Sequence, residues 1–232
     1  MQTIQGDGFV VTVLKSSRRK TTALKIKQGE VFIYIPSRLP LKRATEFVLL
    51  KTSWIQKKLA EQSLKEVPSK HFIDGESFLF LAKHYTLRLF QNNSSPSVIK
   101  TPDNLELHGR LNRLSKTAIR AALVSWYKQQ AKQYLTSRTA EISRKINLAP
   151  TSITVKTYKA RWGSCGVRGD IQFNWKLMLA PPEVIDYVII HELCHLKHHN
   201  HSAQFWQLVS INCPDFNVSR QWLKTNGFKL EL

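Results

Sequence analysis

The chain has 232 residues, of which 42% are hydrophobic, 10% aromatic and 22% charged, with a net charge of +19. That is enough apolar matter to bury one compact domain or two packed lobes, and it argues against a disordered chain. No stretch approaches the roughly 20 apolar residues of a membrane-spanning helix, and residues 1–10 lack the basic and apolar segments of a secretory signal.

Residues 9–14 and 31–35 are β-branched and aromatic and read as strands, with Gly29 as a turn and Pro36 as a stop. From 41 to 65 the spacing becomes helical, with Phe47, Leu50, Trp54, Ile55 and Leu59 on one face. A second strand pair follows Gly75, at 78–81 and 85–89, and residues 91–102, rich in Asn, Ser and Pro, read as a linker. From 114 to 148 neither Gly nor Pro interrupts a helical pattern carried by Ile119, Leu123, Trp126, Tyr127, Ala131 and Leu135, and Pro150 closes it. No repeat of fixed period or low-complexity tract occurs. The expected division is a basic, β-rich lobe with one helix over 1–112 and a second lobe over 113–232.

Strands expected at 153–158 and 170–175 flank the turn-rich run Trp162-Gly163-Ser164-Cys165-Gly166. Pro181-Pro182-Glu183 then opens a helix, since proline suits a first turn and Glu183 and Asp186 complement the dipole there. That helix presents Ile185, Val188, Ile189 and Leu196 to a core. It also carries His191-Glu192-Leu193-Cys194-His195, an HExxH sequence.

Residues four apart share a helical face, so both imidazoles can reach one ion with Glu192 beside it. Such a site activates water for hydrolysis, with Glu192 moving the proton. A catalytic zinc needs three protein ligands and an open position. His198, His199 and His201 compete to be the third. On a continuous helix His199 lies about 12 Å along the axis from His191, and His198 is offset around it. His201 is the expected ligand, set between a left-handed stop at Asn200 and an N-cap at Ser202 for a helix over 203–212. Downstream carboxylates, Asp215 and the penultimate Glu231, are the alternatives. The histidine spacing matches HExxHxxGxxH, yet His198 replaces the glycine and Met1 and Met178 are the only methionines, so no Met-turn can follow. Zn2+ is the expected metal, with Mn, Co or Ni as possible substitutes.

Arg161-Trp162-Gly163-Ser164-Cys165, the Phe173-Asn174-Trp175 strand, the helix from Pro182 to His195 and the run from His201 to Trp206 together resemble the YgjP-like metallopeptidase family. That family is similar to the WLM and SprT-like HExxH peptidases. The likeness is strongest over 155–210 and extends loosely over most of the chain. It implies an α+β fold: a zincin-like (minigluzincin) metallopeptidase core with an HExxH active-site helix, preceded by a β-rich N-terminal lobe, both lobes in one family domain. It also implies a protein or peptide substrate.

Arg161, Trp162, Gly163 and Ser164 are the candidate substrate-side residues: Arg161 for a carboxylate or phosphate, Ser164 or backbone N–H groups for an oxyanion. A packed structural turn and a surface ion pair would account for the same residues. Cys194 and Cys165 read as small core residues. The three cysteines are odd in number and have no CxxC spacing, which argues against a cysteine zinc site and a disulfide framework; with neither an apolar span nor a signal-like start, the cytoplasm is the expected compartment.

Two other functions stay open. One is a metal-dependent phosphohydrolase acting on nucleotides or other phosphorylated substrates. The other is a nucleic-acid-associated SprT-like protein, because 31 Lys and Arg against 13 acids precede His191 while four against three follow. A basic field of that size suits nucleic acid, another polyanion, an acidic protein or an anionic membrane surface, and equally a lysine-rich solvating surface. No helix-turn-helix, zinc-finger or phosphate-loop signature is present.

Overall fold

Alternation of apolar residues decides the first sheet. In a computed structural model, which describes residues 2–27, 29–63 and 69–232, β1 (Gln2–Gln5), β2 (Val10–Ser16), β3 (Ala23–Lys27) and β4 (Glu30–Pro36) pair in the order β1-β2-β4-β3. The central pair β2 and β4 is parallel and the outer pairs are antiparallel. Every second residue points to one face, where Val11, Val13, Val31, Ile33 and Ile35 are buried. α1 (Leu41–Leu50) and α2 (Thr52–Ser63) close that core with Ala44, Val48 and Ile55.

The single helix expected over 41–65 is therefore two, interrupted at Lys51; residues 64 and 65 lie outside the described residues. Leu50 and Trp54, expected on the buried face, are 83% and 43% exposed. Leu50 stands about 200° around the helix from the buried Val48, and α2 resumes with Ile55, not Trp54, toward the core.

The chain divides into two compact units, Met1–Pro68 and Ser69–Leu232, rather than at 112/113. The reason is a shared core. β5 (Ser77–Phe80), β6 (Lys83–Gln91), β7 (Ser97–Lys100) and β8 (Asn104–Gly109) form a sheet in the order β5-β6-β8-β7. Its Phe78, Phe80, Leu87, Leu105 and Leu107 belong to the same core as α3 (Lys116–Ile146) and everything after it. The expected linker at 91–102 contains β7, which pairs with β8 and packs Val98 against this core.

α3 starts at an N-cap, Ser115, whose hydroxyl accepts from Ala118 N at 3.2 Å, and it ends at Asn147 in the left-handed region, φ 54°. Leu123, Trp126, Tyr127, Ala131 and Leu135 form its buried stripe, as the spacing predicts. Tyr127 Oη donates to Leu79 O at 2.5 Å, and burial raises the Tyr127 phenol well above its ordinary range.

β9 (Ser152–Lys156), β10 (Gly163–Cys165) and β11 (Asp170–Asn174) form the third sheet in the order β10-β11-β9. β11 is parallel to β9 and antiparallel to β10. The run 162–166, read as a turn from sequence, thus contains an edge strand. α4 (Pro182–Cys194) is buried nearly all round, through Val184, Ile185, Val188, Ile189, Leu193 and Cys194. Arg138 on α3 holds it by donating Nε and Nη2 to the two Asp186 carboxylate oxygens at 2.8 and 2.7 Å. α5 (Ala203–Asn212) and α6 (Phe216–Asn226) complete this α+β arrangement. Among the described residues, no helix is long and apolar enough to cross a membrane.

Candidate metal centre

α4 puts His191 and His195 one turn apart, with ring centroids 4.9 Å from each other. The helix stops at Cys194, and the chain turns through 195–200 before α5. Asn200 has no positive φ, so the left-handed stop expected there does not exist and His199 is not helical. The turn nevertheless brings His201 back: its ring centroid is 5.0 Å from His191 and 4.8 Å from His195. One nitrogen from each of the three rings lies within 4.8 Å of the others, and the Nε2 atoms of His191 and His201 are 3.1 Å apart.

His198 takes part through its backbone. His195 Nδ1 donates to the His198 carbonyl at 2.9 Å, which fixes the tautomer and leaves Nε2 with a free lone pair. Burial is the main cause that pushes His191 down to about 3, assisted by His195, His201 and Arg220. Burial lowers His195 too, against the opposing effect of its bond to His198. Neutral rings with convergent nitrogens are what a divalent metal requires, so this donor set fits one.

The third histidine is held from behind. Ser202 caps α5, its hydroxyl accepting from Phe205 N at 3.3 Å. The cap seats the fully buried Phe205 against all three imidazoles, with centroid distances of 4.9, 4.4 and 4.9 Å to His191, His195 and His201. Trp206 stacks on His201 at 5.6 Å, Phe216 stacks on Trp206 at 5.5 Å, and the Arg220 guanidinium lies 4.6 Å from the Trp206 ring centre. Asp215 lies just before α6; neither it nor Glu231, which pairs with Lys176, belongs to the histidine cluster.

Glu192 is only 5% exposed. Burial pushes its carboxyl up to about 8, with Arg161 pulling the other way. Gly163 on β10 lies directly against it: a Cβ there would come within 2.5 Å of Glu192 Oε1. Strand alternation then turns the Ser164 side chain to the opposite face, away from Glu192. On the Glu192 side β10 therefore offers backbone and not the Ser164 hydroxyl. Trp162 packs beside Gly227, and the Arg161 guanidinium stacks 5.3 Å from the Tyr158 ring centre. Cys194 is fully buried and Cys165 partly so, and burial raises their thiols to about 12 and about 11.

Sequence reasoning assigned no role to Asn174, at the end of β11. It is 2% exposed, and its Nδ2 donates to the carbonyls of Tyr158 and Arg161, both at 3.1 Å. Its backbone N donates to Trp162 O at 2.8 Å. Three bonds from one residue thus fix the loop that delivers Trp162 and Gly163 to the site. The only signal in the sequence was a polar residue between two aromatics, where the alternation of the strand Asp170-Ile171-Gln172-Phe173 gives way.

A family model described as YgjP-like, metallopeptidase domain, matches residues 20–226. Among solved structures, the metallopeptidase zymogen abylysin of Pyrococcus abyssi is 19% identical, with 39% of this chain and 93% of that chain covered and a TM-score of 0.33. The zymogen jannalysin of Methanocaldococcus jannaschii is 21% identical, with 38% and 93% covered and a TM-score of 0.33. No curated protein matches the chain in sequence.

Proposed function

We propose that this chain, which belongs to the YgjP-like metallopeptidase family, hydrolyses peptide bonds with a zinc ion held by His191, His195 and His201 and with Glu192 as general base. The observation that carries this reading is the meeting of two features. Glu192 directly follows His191 of the histidine cluster on α4, and its carboxylate lies against Gly163, on the edge strand of the third sheet. Bound there, zinc supplies Lewis acidity, acidifying water and polarising the scissile carbonyl. Glu192 takes the proton of the attacking water and returns it to the leaving amine. The outer backbone groups of β10 align an extended substrate by strand addition and present N–H donors to the developing oxyanion.

Arg161 gives the substrate a chemical class. It borders a cavity of about 220 Å³ that is also lined by Lys159, Trp162, Asn174 and the Lys176–Glu231 ion pair. The Arg161 guanidinium, whose charge acts on Glu192, and Lys159 on the same rim suit a peptide with an acidic side chain next to the scissile bond. Cys165, Cys194 and Cys213 are free thiols, which supports a reducing, cytoplasmic setting.

Metal analysis of the purified protein, with a peptide library rich in acidic residues, tests the reading. Glu192→Gln should retain about one zinc per chain and lose roughly 100-fold or more of kcat. Arg161→Ala should raise KM for acidic peptides and leave neutral ones unaffected. Release of phosphate from nucleotides without peptide cleavage would replace this reading by a phosphohydrolase.

A further inference from the structure

Within the unit Met1–Pro68, the face of the first sheet opposite its two helices carries aromatic and basic side chains. Residues of alternate parity to the core stand in rows across the four strands. Cross-strand register aligns Thr3, Thr12, Phe32 and Lys25 in one row. The next row holds Leu14, Tyr34 and Ala23, and the row before it holds the two pairs Gln5–Val10 and Glu30–Lys27. Partners in register point to the same side of a sheet. Phe32 and Tyr34 therefore project together from the central strand β4, two residues and about 7 Å apart.

Both helices of this unit pack on the other face, with Val11, Val13, Val31, Ile33 and Ile35. Phe32, Tyr34, Leu14 and Val10 belong to neither hydrophobic core of the described residues. Both rings are partly exposed, and Val10 is 49% exposed. Cations surround them. Arg19, from the turn after β2, lies 4.9 Å from the Tyr34 ring centre, and Lys25 and Lys27 are exposed on β3. Glu30 is the one acid in the three rows. Residues 1–68 hold 13 Lys and Arg against five acids.

A sheet face with two aromatic rings at strand spacing, edged by cations, matches unpaired bases on a phosphate backbone. Stacking satisfies the rings and phosphates satisfy Arg19, Lys25 and Lys27. Duplex would offer the charge without accessible base faces. We propose that this sheet face binds single-stranded nucleic acid, with bases stacked on Phe32 and Tyr34 and phosphates held by Arg19, Lys25 and Lys27. The site is independent of the hydrolytic reading, and neither depends on the other.

Fluorescence anisotropy of the full chain with labelled oligouridylate and oligothymidylate of about 12 nucleotides, starting at about 50 mM salt, tests it. The expected result is salt-dependent binding of one or both strands, and the difference between RNA and DNA identifies which nucleic acid is the ligand. Phe32→Thr with Tyr34→Thr keeps strand-forming residues and should weaken binding about tenfold or more at unchanged salt slope. Lys25→Gln with Lys27→Gln should lower the slope by about 1.4. Peptide hydrolysis should be unaffected in both variants. No binding of either strand, equal binding of a duplex, or full affinity in the aromatic variant would overturn the proposal. Should that variant fail to fold, ultraviolet cross-linking of the unaltered chain to a thiouridine oligonucleotide decides. Adducts on Phe32 or Tyr34 support the site, and adducts confined to the second unit overturn it.

Discussion

Gly163 touches the Glu192 carboxylate: a Cβ in its place would stand 2.5 Å from Oε1 and 2.7 Å from Cγ. The position tolerates no side chain while Glu192 keeps its place, and Glu192, 5% exposed, has little room to retreat. Gly163→Ala should therefore displace Glu192, the proposed general base, without disturbing the histidines. Metal content should stay at the parental level while kcat falls about tenfold or more, because a misplaced base loses most of its advantage. Parental kcat in a folded, metal-loaded Gly163→Ala protein would show that the base does not act from this position.

The buried carboxylate also makes a prediction about the metal-free protein. There the Glu192 carboxyl is raised to about 8 from an ordinary 4.5. Between those values the folded chain holds a proton that the unfolded chain has released. Stability therefore falls as pH rises through that window, and the full cost is present above it. In urea unfolding of chelator-treated protein, Glu192→Gln should abolish this part of the pH dependence. It should also stabilise the metal-free form near pH 8, by an amount on the order of 1 kcal/mol or more. Equal pH profiles for parent and variant would mean that Glu192 is charged in the folded metal-free state.

His201 is distinguished from its neighbours by where its ring goes. Its Nε2 faces that of His191, while His198 contributes a carbonyl to His195. His201→Ala should lose most of its zinc, whereas His199→Ala and His198→Ala should retain it, the latter because the His195 bond uses backbone. Metal analysis after dialysis separates the three.

The helix carrying His191 and His195 was legible because its signals are local: a proline-glutamate start, an apolar run and two histidines at one-turn spacing. Ser202 was legible for the same reason, since an N-cap acts within three residues. His201 was reached by assuming a helix continuous to His199. The helix in fact ends at Cys194, so the same residue is brought in by a turn instead. What stayed hidden depends on distant partners. β10 has three small residues, Gly163, Ser164 and Cys165, without periodicity, and it is a strand only because β11 lies beside it. The unit boundary at 68/69 follows from β5 to β8 sharing a core with α3, which no local pattern encodes.

Asn174 is the clearest case of a residue acting through others, and it supports the last prediction. Its side-chain amide donates to two carbonyls, Tyr158 O and Arg161 O, and its backbone fixes Trp162 O. Asn174→Asp preserves shape but replaces the two N–H donors by an anion facing those carbonyls at 2% exposure. The loop should detach. Stability should fall by about 1–3 kcal/mol, as expected for buried polar groups left unsatisfied. Because β10 follows the loop directly, kcat should fall with it while zinc content holds. Leu177→Ala, a buried neighbour that makes no such bonds, provides the comparison. It should cost at least as much stability, about 2–5 kcal/mol, yet leave kcat of the folded fraction near the parental value. If the two variants lose kcat in the same proportion to stability, Asn174 supports the fold generally and does not position Gly163 against Glu192.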